Sequence, residues 1–233
     1  MGRGRSAGYD EQREMILAQA AQLFARGGYA GTSMNQVAQA CGLSKATLYH
    51  YYRDKYDLLV SIADSHVSRL QAIVGQALGE DVAPAEQMRL LIGRLVQEYA
   101  DAQHAHRVLT EDVKFLEPAD RERILGKERE VVNGFAQVVA ALRPDLKQQA
   151  LSKPLTMLLF GMINWLFTWM KPDGPLDHDA MAPIVADLFL GGLGAVKSPL
   201  KSKAAAGYVF LNAEDAEDAE VAQRTQRTQR RQE

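Results

Sequence analysis
The sequence predicts an all-α fold, with a helix-turn-helix near the N-terminus and a longer helical body behind it. Apolar residues recur three and four apart from about residue 10 to residue 196, the spacing of one helix face. Ser and Pro at segment starts, and Gly or Pro-Gly at segment ends, punctuate that pattern as caps and stops. Between Thr32 and Lys55 two short helical stretches meet across a glycine. With 47% apolar and 24% charged residues over 233 positions, the chain can build two modest domains or one large one.

The first helix spans about Asp10 to Arg26, with Ile16, Leu17, Ala20, Ala21, Leu23 and Phe24 as its apolar stripe, and Gly27-Gly28 ends it. Thr32 and Ser33 precede Met34, Val37, Ala38 and Cys41, again at helical spacing, and Ser33 with Gln36 makes a capping box. Gly42 suits a left-handed residue at that helix's end. Ser44 caps the next helix, Lys45 to about Tyr52. Two short helices about a glycine turn are a helix-turn-helix. In the second, Ala46, Leu48, Tyr51 and Tyr52 supply a buried side, while Lys45, Thr47, Tyr49 and His50 point outward. A cation, hydroxyls and an imidazole at a helix N-terminus suit phosphate oxygens and base edges in a major groove. Any short helical hairpin needs a glycine turn and two caps, so the pattern alone leaves a structural hairpin open.

The segment AAQLFARGGYAGTSMNQVAQACGLSKATLYHYYRDKYDLL closely resembles the DNA-binding domain of the tetracycline-repressor (TetR) family, covering its N-terminal signature without a gap. The resemblance implies an all-helical homodimer whose N-terminal domain binds operator DNA and whose C-terminal domain binds a ligand and dimerises. It assigns operator contacts to Thr32, Ser33, Met34, Ser44, Lys45, Ala46, Thr47, Tyr49, His50, Tyr51 and Lys55. Lys55 opens the next helix at its N-terminal end, against the helix dipole, and the resemblance makes it a phosphate contact. Arg3 and Arg5 precede the first helix, either as a disordered start or as an arm that orders along the minor groove or phosphates.

That next helix runs from Lys55 to about Gly79 and would carry motion between the domains. Pro84 starts another, to about Gln103, with Met88, Leu91, Ile92, Leu95, Val96 and Tyr99 buried. His104 and His106 follow, two apart and so on different faces of any helix, unlike a metal-binding pair. Arg107 to Leu116 and residues 119–142 form two more helices. Leu146 to Lys171 forms the next, and Lys171-Pro172-Asp173-Gly174-Pro175 stops it. The last helix, Asp177 to Val196, carries Gly191-Gly192 and is expected to pack against its twin in a dimer. Three regions result: 9–56, a helix-turn-helix DNA-binding domain; 57–197, an effector-binding and dimerisation domain; and 198–233, a low-complexity tail that cannot form a packed core.

Within the helix ending at Lys171, Gly161, Trp165 and Thr168/Trp169 share one face, with Phe160, Asn164, Phe167 and Lys171 on an adjacent one. An aromatic core or a dimer contact would explain the tryptophans. Asn164 is expected to be buried and so to need a polar network or a ligand. The stretch FGMINWLFTWMKPDGPLDHDAMAPIVADLFLGGL resembles TetR-family repressors that sense acyl-coenzyme A thioesters. A thioester needs an apolar slot for its acyl group and cations for its phosphates. Phe160, Gly161, Asn164, Trp165, Thr168 and Trp169 are the candidates for the slot. Lys171 and Arg107 are the candidates for the phosphates, with Arg89, Arg94 and Arg143 kept open. A hydrophobic drug-like or aromatic effector is the alternative.

The net charge of −2 conceals an uneven distribution. Residues 1–55 carry seven Lys/Arg against four Asp/Glu, and residues 56–196 thirteen against nineteen. A basic end on an acidic body fits a DNA reader with a separate regulatory domain. Lone Cys41 excludes an internal disulfide framework and reads as a buried structural thiol. Leu155 to Met170 is too short to span a bilayer and the N-terminus lacks a signal-peptide core, so a cytoplasmic protein is expected. No catalytic triad, metal cluster, glycine-rich phosphate loop or carboxylate pair emerges, so neither an enzyme nor a cofactor or metal is expected.

Overall fold
Four of the helices in this chain start where a side chain, that of Ser33, Ser44, Asp54 or Asp177, accepts from a first-turn backbone N–H. The computed structural model describes residues 7–148, 150–170 and 176–197, apart from the side chains of Ala7, Phe167 and Thr168. Among them are ten α-helices and no strand. They are α1 Ala7–Gly27, α2 Met34–Ala40, α3 Lys45–Tyr51, α4 Lys55–Leu78, α5 Pro84–Asp101, α6 Gln103–Glu111, α7 Pro118–Leu142, α8 Pro144–Lys147, α9 Ser152–Trp169 and α10 His178–Leu193. The expectations for Arg3, Arg5, Lys171, the Thr168 side chain and the tail from residue 198 fall outside the described residues.

The Ser33–Gln36 capping box is formed: the Ser33 hydroxyl accepts from Gln36 N–H, and the Gln36 side chain accepts from Ser33 N–H at 2.8 Å. At the other end of α2, Leu43 N–H reaches Ala38 O at 2.9 Å and Gly42 N–H reaches Gln39 O at 3.1 Å. With Gly42 at φ +64°, this is a Schellman motif, and it turns the chain into α3. Asp54 caps α4 by accepting from Asp57 N–H at 2.7 Å. Arg143 closes α10, donating to the backbone oxygens of Leu193 and Val196.

Residues 7–196 pack as one compact unit containing two apolar cores. The first gathers Ile16, Phe24, Val37, Leu48 and Tyr52 from α1–α3 around Leu58, Leu59 and Ile62 of α4, and it also takes Val108, Leu109 and Ile124. The second joins the far half of α4 (Leu70, Val74, Ala77) to α5, α7, α9 and α10. α4, roughly 36 Å long at about 1.5 Å per residue, therefore runs through both cores. α6 packs against both α1 and α4.

Three element boundaries differ from expectation. His104 and His106 lie inside α6, which begins at Gln103, because the chain needs only Ala102 to turn out of α5. The expected Arg107–Leu116 helix ends at Glu111, and Val113–Phe115 is a single 3₁₀ turn. The helix expected to begin at Leu146 is split into α8 and α9, with Ala150 in the left-handed region at φ +56°. Neither glycine nor proline stands at residues 148–151, and Pro154 in the first turn of α9 is the sequence mark nearest the break.

Candidate DNA interface and effector cleft
α3 is held from beneath by Leu48 and Tyr52, both essentially inaccessible. Ser44 Oγ accepts from Thr47 N–H at 3.0 Å and lies 2.8 Å from Thr47 Oγ1, fixing the first turn. The Arg13 guanidinium sits 5.3 Å from the Tyr52 ring centre, and burial raises the Tyr52 hydroxyl pKa to about 12, so it stays neutral. With that face anchored, Ser44, Lys45, Ala46, Thr47, Tyr49 and His50 are exposed together. Lys45 Nζ lies 5.8 Å from the Tyr49 ring centre. This is a short polar surface carrying a cation, an aromatic hydroxyl and an imidazole, of the kind that reads a groove.

Several expected contacts are corrected here. Ala46 is exposed rather than buried, because the chain's contact with the core falls on Leu48 and Tyr52. Tyr51 is half-buried and stacks on Tyr9 of α1 at 4.8 Å between centroids. Thr32 and Met34 are buried: the Thr32 hydroxyl donates to Gly28 O at 3.0 Å, and the Met34 side chain belongs to the first core. Neither side chain faces solvent, although Ser33 beside them does. Lys55 Nζ donates to Tyr29 O at 2.8 Å and Ala30 O at 3.2 Å and lies 4.5 Å over the Tyr29 ring. It clamps the α1–α2 loop, leaving one N–H bond of its three. Cys41 is half-buried, and burial pushes its thiol pKa up, which keeps it unreactive.

The effector candidates divide into two groups. Phe160 is buried against Phe135, ring centres 5.1 Å apart, and lines a cavity of about 200 Å³ with Leu70, Leu109, Val131 and Val132. Asn164 stands at the rim of that cavity. It also borders a wider cleft of about 530 Å³ with Arg107, His104 and Glu111. His106, Thr110 and Asn164 line both spaces, so the two adjoin: the space at Phe160 is an apolar depth and the space at Arg107 a more polar mouth. Asn164 is exposed, not buried, and incurs no desolvation cost of the kind expected. Gly161, Trp165 and Trp169 lie on the outward face of α9, the tryptophans 66% and 50% exposed, and line neither space. The helical turn that brings Leu159, Phe160 and Ile163 into the core carries them away from it. Among the reserve cations, Arg89 pairs with Asp187 at 2.6 Å, Arg94 with Glu80, and Arg143 with Asp145, all away from this site. Arg107 alone of these four arginines borders the mouth, 2.9 Å from Glu111.

Sequence reasoning missed the polar groups around the depth. His66, wholly buried in α4, has Nε2 3.3 Å from His106 Nδ1 and Nδ1 3.5 Å from Glu98 Oε1. Arg69 Nε donates to the same Glu98 oxygen at 2.9 Å. Burial works to raise the Glu98 pKa, but hydrogen bonds from His66 and Arg69 outweigh it and the carboxyl titrates below its ordinary range. The His106 ring stacks on Tyr99 at 3.7 Å, and burial together with the charge of His66 lowers its pKa to about 3, so it is neutral. Glu128 also lines the cavity. The i, i+7 spacing of Tyr99 and His106 was visible, but the break between α5 and α6 hid their stacking. Among the described residues no three His, Cys, Asp or Glu side chains gather to hold a metal. Among them, too, no helix is long and apolar enough to cross a membrane.

The chain matches two family models: bacterial regulatory proteins of the tetR family over residues 16–62, and a tetracyclin repressor-like C-terminal domain over residues 81–193. A TetR-family transcriptional regulator from Bordetella parapertussis is 34% identical, with a TM-score of 0.73 over 80% of this chain and 97% of that one. The transcriptional activator FasR of Mycolicibacterium smegmatis is 22% identical over 83% of this chain and 88% of its own length. AibR, whose structure holds isovaleryl coenzyme A and operator DNA, has the same fold at 24% identity and a TM-score of 0.65, over 76% of this chain and 97% of AibR. The helix-turn-helix of α2 and α3, the helical body behind it and these matches establish that the chain is a transcriptional regulator of the TetR family, a DNA-binding protein and not an enzyme.

Proposed function
We propose that the chain is a homodimeric repressor of a near-palindromic operator, released by an acyl-coenzyme A thioester. The observation that carries this reading is the two-part site, whose polar mouth at Arg107 leads to an apolar depth at Phe160. A thioester's phosphates suit the first and its acyl group the second. AibR, of the same fold, holds such a thioester together with its operator.

The depth is walled by α4, α5, α6, α7 and α9, and α4 and α6 also contribute to the core that supports α3. An effector that separates or rotates α6 against α4 therefore moves the recognition helix. Release follows only if the two conformations bind effector unequally. A hundredfold loss of operator affinity needs about 2.7 kcal/mol of such coupling. Dimerisation covers the outward apolar faces of α9 and α10, where Leu158 and Leu188 are 67% and 65% exposed. Gly161, Gly191 and Gly192 on those helices leave room for close approach. Two copies then set α3 in successive major grooves about 34–36 Å apart. Such a regulator works in the cytoplasm, where its operator lies.

The test is operator binding by gel shift or anisotropy with free coenzyme A, acetyl-, octanoyl-, palmitoyl- and phenylacetyl-coenzyme A, and the matching free acids. Release by one thioester, and by neither its acid nor free coenzyme A, is the expected outcome. Release by none of the thioesters removes the proposed effector class. The stacked Tyr99–His106 pair and the Phe135–Phe160 pair favour an aromatic drug-like effector as the second reading. Release by dyes in place of thioesters would establish it.

A further inference from the structure
One half-buried carboxyl group lines the apolar depth. Glu128 lines the cavity from α7, beside Val131 and Val132 and opposite Leu70 and Phe160. Among the described residues no hydrogen bond or ion pair reaches its carboxyl oxygens. Its neighbours in sequence are committed elsewhere: Lys127 Nζ donates to Asp64 at 2.7 Å and to Ser68 at 2.8 Å, and Arg129 pairs with Glu122.

The other packed helices supply no cation to it. On α4, His66 is taken up between Glu98 and His106, and Arg69 by Glu98 and Ser65. On α5, Tyr99 is held neutral by burial and by the charge of Glu128 itself, and Glu98 is already satisfied. On α6, His106 is neutral, Arg107 pairs with Glu111 at the mouth, and the Thr110 hydroxyl donates to the backbone oxygens of His106 and Arg107. Of the α9 residues that line the cavity, Met157, Phe160 and Asn164, the polar one is Asn164, whose amide is uncharged.

We propose that Glu128 sets the charge specificity of the effector cavity, admitting an uncharged acyl derivative and turning away the corresponding free carboxylate. The proposal rests on reading this cleft as the effector site. An ionised acid entering the depth would face a second carboxylate with no cation between them, a repulsion that the low dielectric of the cavity strengthens. A thioester or amide carbonyl meets no such repulsion and accepts a hydrogen bond from the protonated Glu128 carboxyl. Burial raises the pKa of that carboxyl to about 7, with Arg129 pulling weakly the other way, so the protonated form is populated near neutrality. The cell's pool of free acid is thereby distinguished from the activated form, which differs from it at the reacting end only.

The experiment uses the full chain and measures ligand binding by calorimetry and thermal shift at about pH 8 and about pH 6. The ligands are acid, primary amide and coenzyme A thioester, each as butyryl, octanoyl and palmitoyl. Wild type is expected to bind one amide and its thioester and to bind the matching acid at least tenfold more weakly at the higher pH, with a smaller gap at the lower. Glu128→Gln is expected to close the gap by admitting the acid, so that its acid-to-amide affinity ratio no longer depends on pH. Thermal unfolding without ligand checks that the variant is folded, and the wild-type pH dependence tests the proposal without any substitution. Equal binding of acid and amide by wild type, or an unchanged ratio in Glu128→Gln, overturns it. If amide binds, acid does not and no thioester binds, the role of Glu128 stands and the acyl-coenzyme A reading falls. If no ligand of the panel binds, both fall.

Discussion
Gly134 of α7 faces Val74 and Leu78 of α4, and replacing it tests how tightly the two helices pack there. A Cβ at this position stands 2.3 Å from Val74 Cγ1 and 3.3 Å from Leu78 Cδ1. Val74 is β-branched and held near one rotamer by its own helix, so it cannot swing clear, whereas the end of Leu78 can. In Gly134→Ala, the helix gains about 1 kcal/mol of propensity. Overpacking costs typically about 1–3 kcal/mol, and a 2.3 Å approach belongs at the upper end of that range. The expected net loss is about 1–2 kcal/mol. Val74→Ala removes two buried methyl groups and costs about 2 kcal/mol. In the double variant the new methyl occupies space vacated by Val74 and the propensity gain remains, so the combined loss falls to about 1 kcal/mol and the coupling is about 2–3 kcal/mol. Urea and thermal unfolding at one fixed protomer concentration measure all four proteins. At this chain length each kcal/mol moves Tm by about 2–4 °C. Losses that add to within about 0.5 kcal/mol, or a Gly134→Ala variant as stable as wild type, refute the reasoning.

Three further outcomes are expected. Lys45→Ala should weaken binding to all DNA sequences alike and reduce the salt slope of log K by about 0.9, whereas Tyr49→Ala should weaken the operator more than random DNA; unchanged affinity in both removes α3 as the recognition helix. Leu188→Glu should convert a dimer to a monomer in sedimentation at micromolar concentration, and a variant that remains dimeric places the interface elsewhere. Glu128 binds its proton near 4.5 when exposed and near 7 when folded, so the native state holds the extra proton between those values. Stability should therefore fall as pH rises from about 4.5 through about 7, by at most on the order of 3 kcal/mol. Glu128→Gln should then melt above wild type at about pH 8 and with it near pH 5, and parallel melting curves would contradict the raised pKa.

Local rules made much of this protein legible before any coordinates. The capping box at Ser33, the left-handed Gly42 and the Ser44 cap each depend on backbone groups within four residues, and those interactions are written in sequence spacing. The all-helical class and the exposed Lys45, Thr47, Tyr49 and His50 followed from periodicity, which says which face a residue occupies. Periodicity does not say what the face meets. Trp165 and Trp169 share a face as expected, but only tertiary packing decides that this face looks outward while Phe160 looks into a cavity. The burial of Thr32 and Met34, the Lys55 clamp on the α1–α2 loop, and the convergence of His66, Tyr99, His106 and Glu128 from four helices are likewise tertiary facts. Each joins residues far apart in the chain through distances that no local pattern encodes. The sequence by itself thus determined the helices, their caps and the DNA-reading motif, because those are short-range energetics. The site that would sense an effector was decided by how α4, α5, α6, α7 and α9 pack, because burial and charge there depend on neighbours tens of residues away.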